Sequence, residues 1–433
     1  MLVQSKVEIL PTSKANPLRY AFGMFGTSIP INMFKTFAAI YAVDTLHITT
    51  KQFSSILLIY TVIDIFNIFF FGYLSDQTRS KWGRRKPWII GATPVLILSF
   101  ITFFHLEQFS NQALIFYWLL FFYVLTASSD SLININYGAW FPELFVSATE
   151  RFKTNIWRQV FQVFAMMISI ALTPVVTQAI GYFQTAIIYG VLAWGVIWYM
   201  GFGCQEQVAE TITKSTLKEM FKTYFSNRAI WKYGLATIFY SVTFTILMQS
   251  LPFFVKYYLH RSEHLLTFLL FTILCTSVIG LIAVNRFLQK VHFIDSWPLS
   301  LAVIAIGLAV LAVVQGFALT FVAIVIIGLG ISGVMANSDL VGAYLVDQDQ
   351  ATTGKNRAGA FISFFNMMYR VNGIFIGIAF WLVDDWYGFV SGKQLGNAPG
   401  EAAKFLFVYF PLVAILISFV FALWLRQEVR EKK

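Results

Sequence analysis

Six ionisable residues, Lys35, Asp64, Asp130, Arg158, Asp339 and Arg370, sit inside long apolar stretches of this chain. In the segment TVIDIFNIFFF the carboxylate of Asp64 has no base nearby along the chain to neutralise it. A charge at the centre of a hydrocarbon layer costs roughly 2.5 to 3.5 kcal/mol even on the lenient insertion scale, so each of the six should face protein or water. Charges kept at that cost are candidates for handling an ion or a polar solute. Polar partners recur around them at helical spacing: Ser28, Asn32 and Lys35; Asp64 and Asn67; Thr126, Asp130 and Asn134; Asn155, Arg158 and Gln162; Ser241, Thr245 and Gln249; Asn366, Tyr369 and Arg370. Residues three or four apart share a helix face, so these stripes should line a polar cavity. The bland alternative is that the charges pair across a helix bundle and only hold it together. It weighs more for Asp339, near the end of its apolar run, than for the deeper Asp64 and Arg370. Thr272 and Thr276 are as readily read as hydrogen-bonding glue between helices.

The elements that must position these residues follow from composition. Of 433 residues, 58% are hydrophobic and 12% charged, about half the charged share of a soluble domain. About twelve apolar runs, the first from Arg19 and the last to Leu425, reach the ~20 residues a helix needs to cross the hydrocarbon core. The chain is therefore expected to be an all-α, multi-pass protein of a lipid bilayer. No cleavable signal peptide is expected, because the first residues are polar and the first run is long and lacks a cleavage site.

The net charge of +10 is informative through its placement. Lys and Arg gather in alternate loops: RSKWGRR after the second run, the segment from Lys214 to Lys232 after the sixth, and RQEVREKK at the C-terminus. The loops of the opposite side hold only Lys51, Lys256, Arg261, Lys393 and Lys404. This asymmetry predicts that both termini face the cytoplasm and argues against a nucleic-acid partner. Cys204 and Cys275 form neither a thiol pair motif nor a metal site, and the five histidines show no ligand spacing, so no metal and no cofactor are expected. GLGISG at Gly328 to Gly333 has the spacing of a dinucleotide loop but lies within an apolar run with no strand before it. It reads better as small residues at a helix contact, as does GIFIG from Gly373 to Gly377.

The longest polar segment, with lysines in helical register at Lys214, Lys218 and Lys222, reads as an amphipathic linker on the membrane face. It divides the chain into a first six-helix bundle (1–203), the linker (204–232) and a second bundle (233–433). The halves echo each other: the fourth run ends in PELFVSATER and the tenth in VDQDQATTGKNR. Parallel halves with a central site between them are the architecture this suggests.

A specific resemblance enters with GYLSDQTRSKWGRRKPW, which has Asp64 upstream. It is similar to the signature of the glycoside-pentoside-hexuronide:cation symporters, the melibiose carrier group within the major facilitator superfamily. YGAWFPELFVSATERFKTNIWR and YLVDQDQATTGKNRAG resemble that family's segments after helices four and ten. The resemblance spans nearly the whole chain. It implies twelve transmembrane helices in two bundles and cation-coupled transport of a sugar. In the melibiose carrier, helix two bears two carboxylates four residues apart that bind the coupling cation. Counted back from TRSKWG, the first falls at Asp64, the Asn between them at Asn67, and the second at Ile68. The family's sugar-binding acid of helix one falls at Ser28 and that of helix four at Asn134, with Asp130 one turn further out. The aromatic residue that stacks on the sugar falls at Gly138, and the helix-eleven Lys at Arg370, which keeps the charge but not the geometry.

Half of the family's cation site is thus missing. Sodium needs several oxygen ligands at once, whereas a proton needs one group. Asp64 is therefore expected to carry H+ rather than Na+, with Asn67 beside it and with Arg370, Arg158 or Lys35 as its changing partner. Ser28, Asn32, Lys35, Asp130, Asn134, Arg158, Gln162, Gln249, Asn366, Tyr369 and Arg370 are the expected substrate-binding set. At the basic side, Asp76 with Arg84 and Arg85, Glu143 with Arg151, and Asp347 with Arg357 are expected to latch the halves in the outward-facing state. Isolated surface pairs are worth little, so such a latch needs a network. The expected function is symport of a glycoside or other sugar across a bacterial plasma membrane by a monomer. The competing expectation is a carrier of an anionic amphiphile or lysolipid, because lysolipid symporters resemble the same family and three interior cations could meet a phosphate or carboxylate. A membrane sensor has little support, since no soluble output domain is attached.

Overall fold

The computed structural model describes residues 15–109, 112–145, 148–204, 228–288, 292–313, 316–353, 358–390 and 393–431. Arg357, Lys214, Lys218 and Lys222 lie outside these residues, as do the side chains of Asp76, Arg151 and Asp339. Hydrocarbon offers backbone groups no hydrogen-bond partner, so a spanning segment must satisfy them within itself as a helix. The spanning segments among the described residues all do so. Helix α1 is Pro17–Ile40, continued by a π turn, Tyr41–Thr45. Asn16 caps it by accepting from the amides of Leu18 and Arg19. Helix α2, Thr50–Gln77, opens on a reciprocal cap between Thr49 and Gln52. Helices α3 and α4 are Lys86–Phe103 and Gln112–Leu144. Helix α5 begins at Ala148–Met166 and passes through a π turn, Met167–Leu172, into Thr173–Gly203. There Gly181, at φ 84°, breaks the helix, and α6 runs from that break to Gly203.

The second half repeats the pattern. Helix α7 is Arg228–Phe253 with a π turn at Phe254–Tyr258, α8 is Glu263–Leu288, α9 is Phe293–Val313 and α10 is Phe317–Thr353. Helix α11 is Ala358–Arg370 followed, after a one-residue interruption at Val371, by Asn372–Tyr387. Helix α12 is Pro399–Lys404, a π turn at Phe405–Tyr409, and Phe410–Glu431. Ten stretches among the described residues are long and apolar enough to cross a membrane. One of them, Lys153–Gly203, has 51 residues, about 75 Å of helix against a ~30 Å core, so it holds two crossings joined at Gly181. Pro17–Ile40 lies outside the ten, and with it the described residues make the twelve crossings the composition predicts.

Within the first half α1 packs on α5 and α6, α3 on α4 and α6, and α2 on α4. Within the second, α10 packs on α8 and α9, and α12 on α7 and α9. Among the described residues the main contacts between the halves are α2 with α11, α1 with α7, and the π turn Met167–Leu172 together with the helix Thr173–Gly203 that follows it with α8. An even number of crossings puts both termini at one end, called here the terminal end; the other is the far end. Buried apolar contact is continuous between the halves at the far end, from Tyr41, Val43 and Leu46 to Val255, Tyr257 and Phe389. Near the terminal end the cores separate: one cluster holds Tyr20, Tyr137, Trp140 and Phe145, another holds Ile230, Phe364 and Met368. The described residues are closed at the far end and divided at the terminal end.

The α2–α11 seam explains GIFIG. Ser54 Oγ donates to the carbonyl of Gly377 at 2.7 Å, and the amide and hydroxyl of Thr50 donate to Val390 and Phe389 at 2.8 and 3.0 Å. A Cβ on Gly373 would run into the Thr61 hydroxyl, and one on Gly377 would sit 3.3 Å from the Ser54 carbonyl. GLGISG serves the same end, since Gly328 abuts Thr276 of α8 and Gly330 abuts Ile304 of α9. Bulk at such a contact forces backbones apart at about 1–3 kcal/mol. Gly373→Leu should therefore lower the melting temperature of the purified protein, and Gly373→Ala should lower it less; equal melting of Gly373→Leu and the parent would show that the seam yields.

Candidate functional site

Where α2 meets α4 and α11, Asp64 is buried at 7% exposure. Ser131 Oγ of α4 donates to its Oδ1 at 3.1 Å, and Arg370 of α11 donates from Nη1 to that same oxygen and, at 2.7 Å, to Ser131 Oγ. A carboxylate of one half is thus paired with a guanidinium of the other through a shared hydroxyl. The interruption at Val371 places Arg370 on the last turn of its helical segment, where the dipole favours a cation. Desolvation of such a pair offsets much of its Coulomb gain, but removing one partner strands the other. Asn67, one turn nearer the terminal end, donates to Ser128 Oγ of α4 at 2.9 Å.

A second cluster lies within the first half. Asp130 of α4 is 6% exposed, and Asn134 donates to its Oδ1 at 2.6 Å. Lys35 of α1 stands 3.9 Å from Oδ2 with its side chain 55% exposed. That separation is too long for a hydrogen bond. Lys35 and Asp130 are thus associated by charge while each keeps donors or acceptors for a third group. Asn32 Nδ2, one turn from Lys35, and Gln249 Oε1 of α7 are buried and have no hydrogen-bond partner among the described residues. Ser28 is buried, and Gln162 is half-buried.

Arg158 of α5 forms a third feature. Its guanidinium lies over the rings of Tyr137 and Phe141, 5.0 and 4.9 Å from their centroids, and Tyr20 stacks on Tyr137 at 4.5 Å. Cation–π contact partly replaces the water that a mid-helix guanidinium loses. At Gly138 an added Cβ would meet nothing within 4 Å, so the position where the resembling family carries a stacking aromatic is open space here. Asn366 and Tyr369 are exposed, and Ile68 is half-buried.

The structure therefore brings Asp64 and Arg370 together, and Lys35 with Asp130 and Asn134. Sequence reading passed over Ser131, Ser128 and Asn372, whose amide donates to Ser241 at 2.6 Å and to Thr245 at 3.3 Å. Ser128 and Ser131 were detectable only as hydroxyls on the α4 face beside the Asp130 stripe. At the terminal end Glu143 takes partners that the sequence did not single out for it. Arg84 and Arg85 both reach Glu143 Oε1 at 3.3 Å, and Arg85 also donates to Ser75 at 2.5 Å. These are contacts within the first half, formed because α3 packs on α4 and carries its N-terminal arginines to the end of that helix. The expected partners Asp76, Arg151 and Arg357 fall outside the described residues or side chains, and Asp347 is exposed. Among the described residues, the ion pairs that cross between the halves include Asp64 with Arg370 at mid-depth and, at the far end, Lys51 with Asp384 at 3.5 Å and Lys256 with Asp44.

Residues 19–427 match the family model described as MFS/sugar transport protein. An uncharacterized symporter of Synechocystis sp. is 28% identical over 212 residues, 46% of this chain and 39% of that protein. The lactose permease of Lactobacillus delbrueckii subsp. bulgaricus is 25% identical over 327 residues, 69% of this chain and 51% of that protein. The aligned region thus spans about half or less of these two relatives. Among solved structures, the nucleoside transporter NupG superposes with a TM-score of 0.68 at 13% identity, over 94% of this chain and 98% of that one. That likeness is one of fold.

Proposed function

The chain belongs to the MFS/sugar transport protein family, and from that premise we propose that it is a symporter that moves a sugar or glycoside together with a proton. The observation that carries the reading is the buried carboxylate of Asp64, shared with Arg370 across the two halves. A membrane transporter of this fold exposes its central site to one side at a time, and coupling requires a group whose charge state changes which arrangement is favoured. Protonation of Asp64 removes the charge that holds Arg370. The freed guanidinium then has donors for sugar hydroxyls, and the halves lose one of the bonds between them. Lys35, Asp130, Asn134 and Gln249 supply further donors and acceptors of the kind a polyhydroxylated ligand needs.

Proton coupling is favoured over sodium because one carboxylate stands at this place, with Ile68 where a second would be needed. The Lys and Arg bias of the loops orients the terminal end toward the cytoplasm, so the closed far end faces outward and the cell membrane is the site of action. The sugar family model and the lactose permease likeness support the substrate class.

Uptake by proteoliposomes tests this directly. A panel of glycosides should include one that accumulates when the outside is acidified and does not respond to a sodium gradient. Accumulation driven by sodium alone would replace the coupling ion. Uptake of a lysolipid with no glycoside taken up would move the function to an amphiphile carrier.

A further inference from the structure

The two halves carry the same local structure at corresponding corners of the far end. In each, a helix loosens into a five-residue π turn, Tyr41–Thr45 after α1 and Phe254–Tyr258 after α7. The Leu46 amide donates to Tyr41 O and the Leu259 amide to Phe254 O, both at 3.0 Å. The Ile48 amide donates to Ala42 O at 2.9 Å and the Arg261 amide to Val255 O at 3.1 Å. His47 and His260 then turn the chain at φ 58° and 51°, a left-handed conformation uncommon for any residue with a Cβ and here repeated at one position of two repeats. The spacing between equivalents is 213 residues, which makes Asp44 the counterpart of Tyr257. These two counterparts are bonded to each other.

The Tyr257 hydroxyl donates to Asp44 Oδ1, and Lys256 Nζ pairs with Oδ2. A contact between equivalent positions of two repeats arises beside the axis that relates them, so this corner lies where the two halves meet at the closed far end. Asp44 has its side chain 8% exposed and both oxygens engaged, while Lys256 is 52% exposed. An exposed ion pair contributes little, but a buried carboxylate held by charge-assisted bonds loses far more when they break. Val43, Leu46 and Val255 of the same corner are buried apolar residues, and His47 and Glu263 also lie close enough to feel the charge of Asp44.

We propose that Asp44 is the latch of the far end: closure makes its bonds to Lys256 and Tyr257, and exposure of the central site on that side requires both to break. The inference rests on the transport reading in supposing that the halves exchange two arrangements, and its test reads accessibility rather than transport. Ser54, buried in the α2–α11 seam, is replaced by Cys in a background lacking Cys204 and Cys275. Labelling by a membrane-impermeant maleimide is then followed from outside intact cells. Asp44→Asn should raise the labelling rate about tenfold or more, the effect of losing a charge-assisted bond. Lys256→Met and Tyr257→Phe, which leave the carboxylate in place, should each raise it less. The exchange Asp44→Lys with Lys256→Asp should bring the rate back toward the parent. Labelling of Lys256→Met and Tyr257→Phe at the parent rate overturns the proposal even if Asp44→Asn fails to fold. So does a charge exchange that labels as fast as Asp44→Asn. Absence of sugar uptake by the parent, with these labelling rates unchanged, would remove the transport reading and leave the latch.

Discussion

Asp64→Asn should continue to exchange substrate across the membrane and should lose accumulation against a gradient. Asn matches Asp in shape and cannot ionise, so it mimics a permanently protonated carboxylate. Its amide still accepts from Ser131, which holds α2 against α4, and exchange needs no net proton movement. Uphill transport driven by a proton carried on Asp64 does, because that proton would have to leave the carboxylate in each cycle before the empty carrier resets. The measurement compares efflux-driven exchange with pH-driven accumulation in the same vesicles. Accumulation by Asp64→Asn equal to the parent's would rule out the coupling role. Loss of both activities with a lowered melting temperature would assign Asp64 to holding Arg370 in place.

Arg370→Ala should abolish exchange and accumulation alike. Removing the guanidinium leaves Asp64 buried without its charged partner, at a cost of about 3–5 kcal/mol, and takes away the donor that bridges α11 to Ser131. The two effects separate in a double-mutant cycle. Combining Arg370→Ala with Asp64→Asn should recover most of the lost thermal stability, since no charge is then stranded, and should not recover transport. Transport restored in the double variant would mean that Arg370 only neutralises Asp64. Normal uptake by Arg370→Ala alone would remove it from the site.

Much of this protein was legible in the chain because hydrocarbon permits so few solutions. Runs long enough to span must be helices, and the break between the fifth and sixth crossings showed as an interruption between Ile180 and Phe183, where Gly181 turns the chain. The depth of Asp64, Asp130, Arg158 and Arg370 was set by their positions within those runs, and the cost of charge in a membrane made them candidates without any coordinates. Small residues at Gly328, Gly330, Gly373 and Gly377 announced close helix contacts, although not with which helices.

Partnership was a different matter, because it depends on how helices rotate and pack. Asp64 and Arg370 are 306 residues apart, and nothing in either neighbourhood selects the other over Lys35 or Arg158. Only the α2–α11 contact makes the choice, after which Lys35 is left to Asp130. Glu143 was expected to pair with the nearby Arg151, whose side chain lies outside the described residues, and only the packing of α3 on α4 shows that Arg84 and Arg85 also reach it. Nothing in the sequence around Asp44 marks it out beside the deeper charges. Its burial comes from the meeting of two corners 213 residues apart, and a sequence states each corner without stating that they touch. Length, apolarity and local charge are properties of a segment and survive in the one-dimensional string; pairing is a property of two surfaces, and it exists only once the twelve helices have chosen their neighbours.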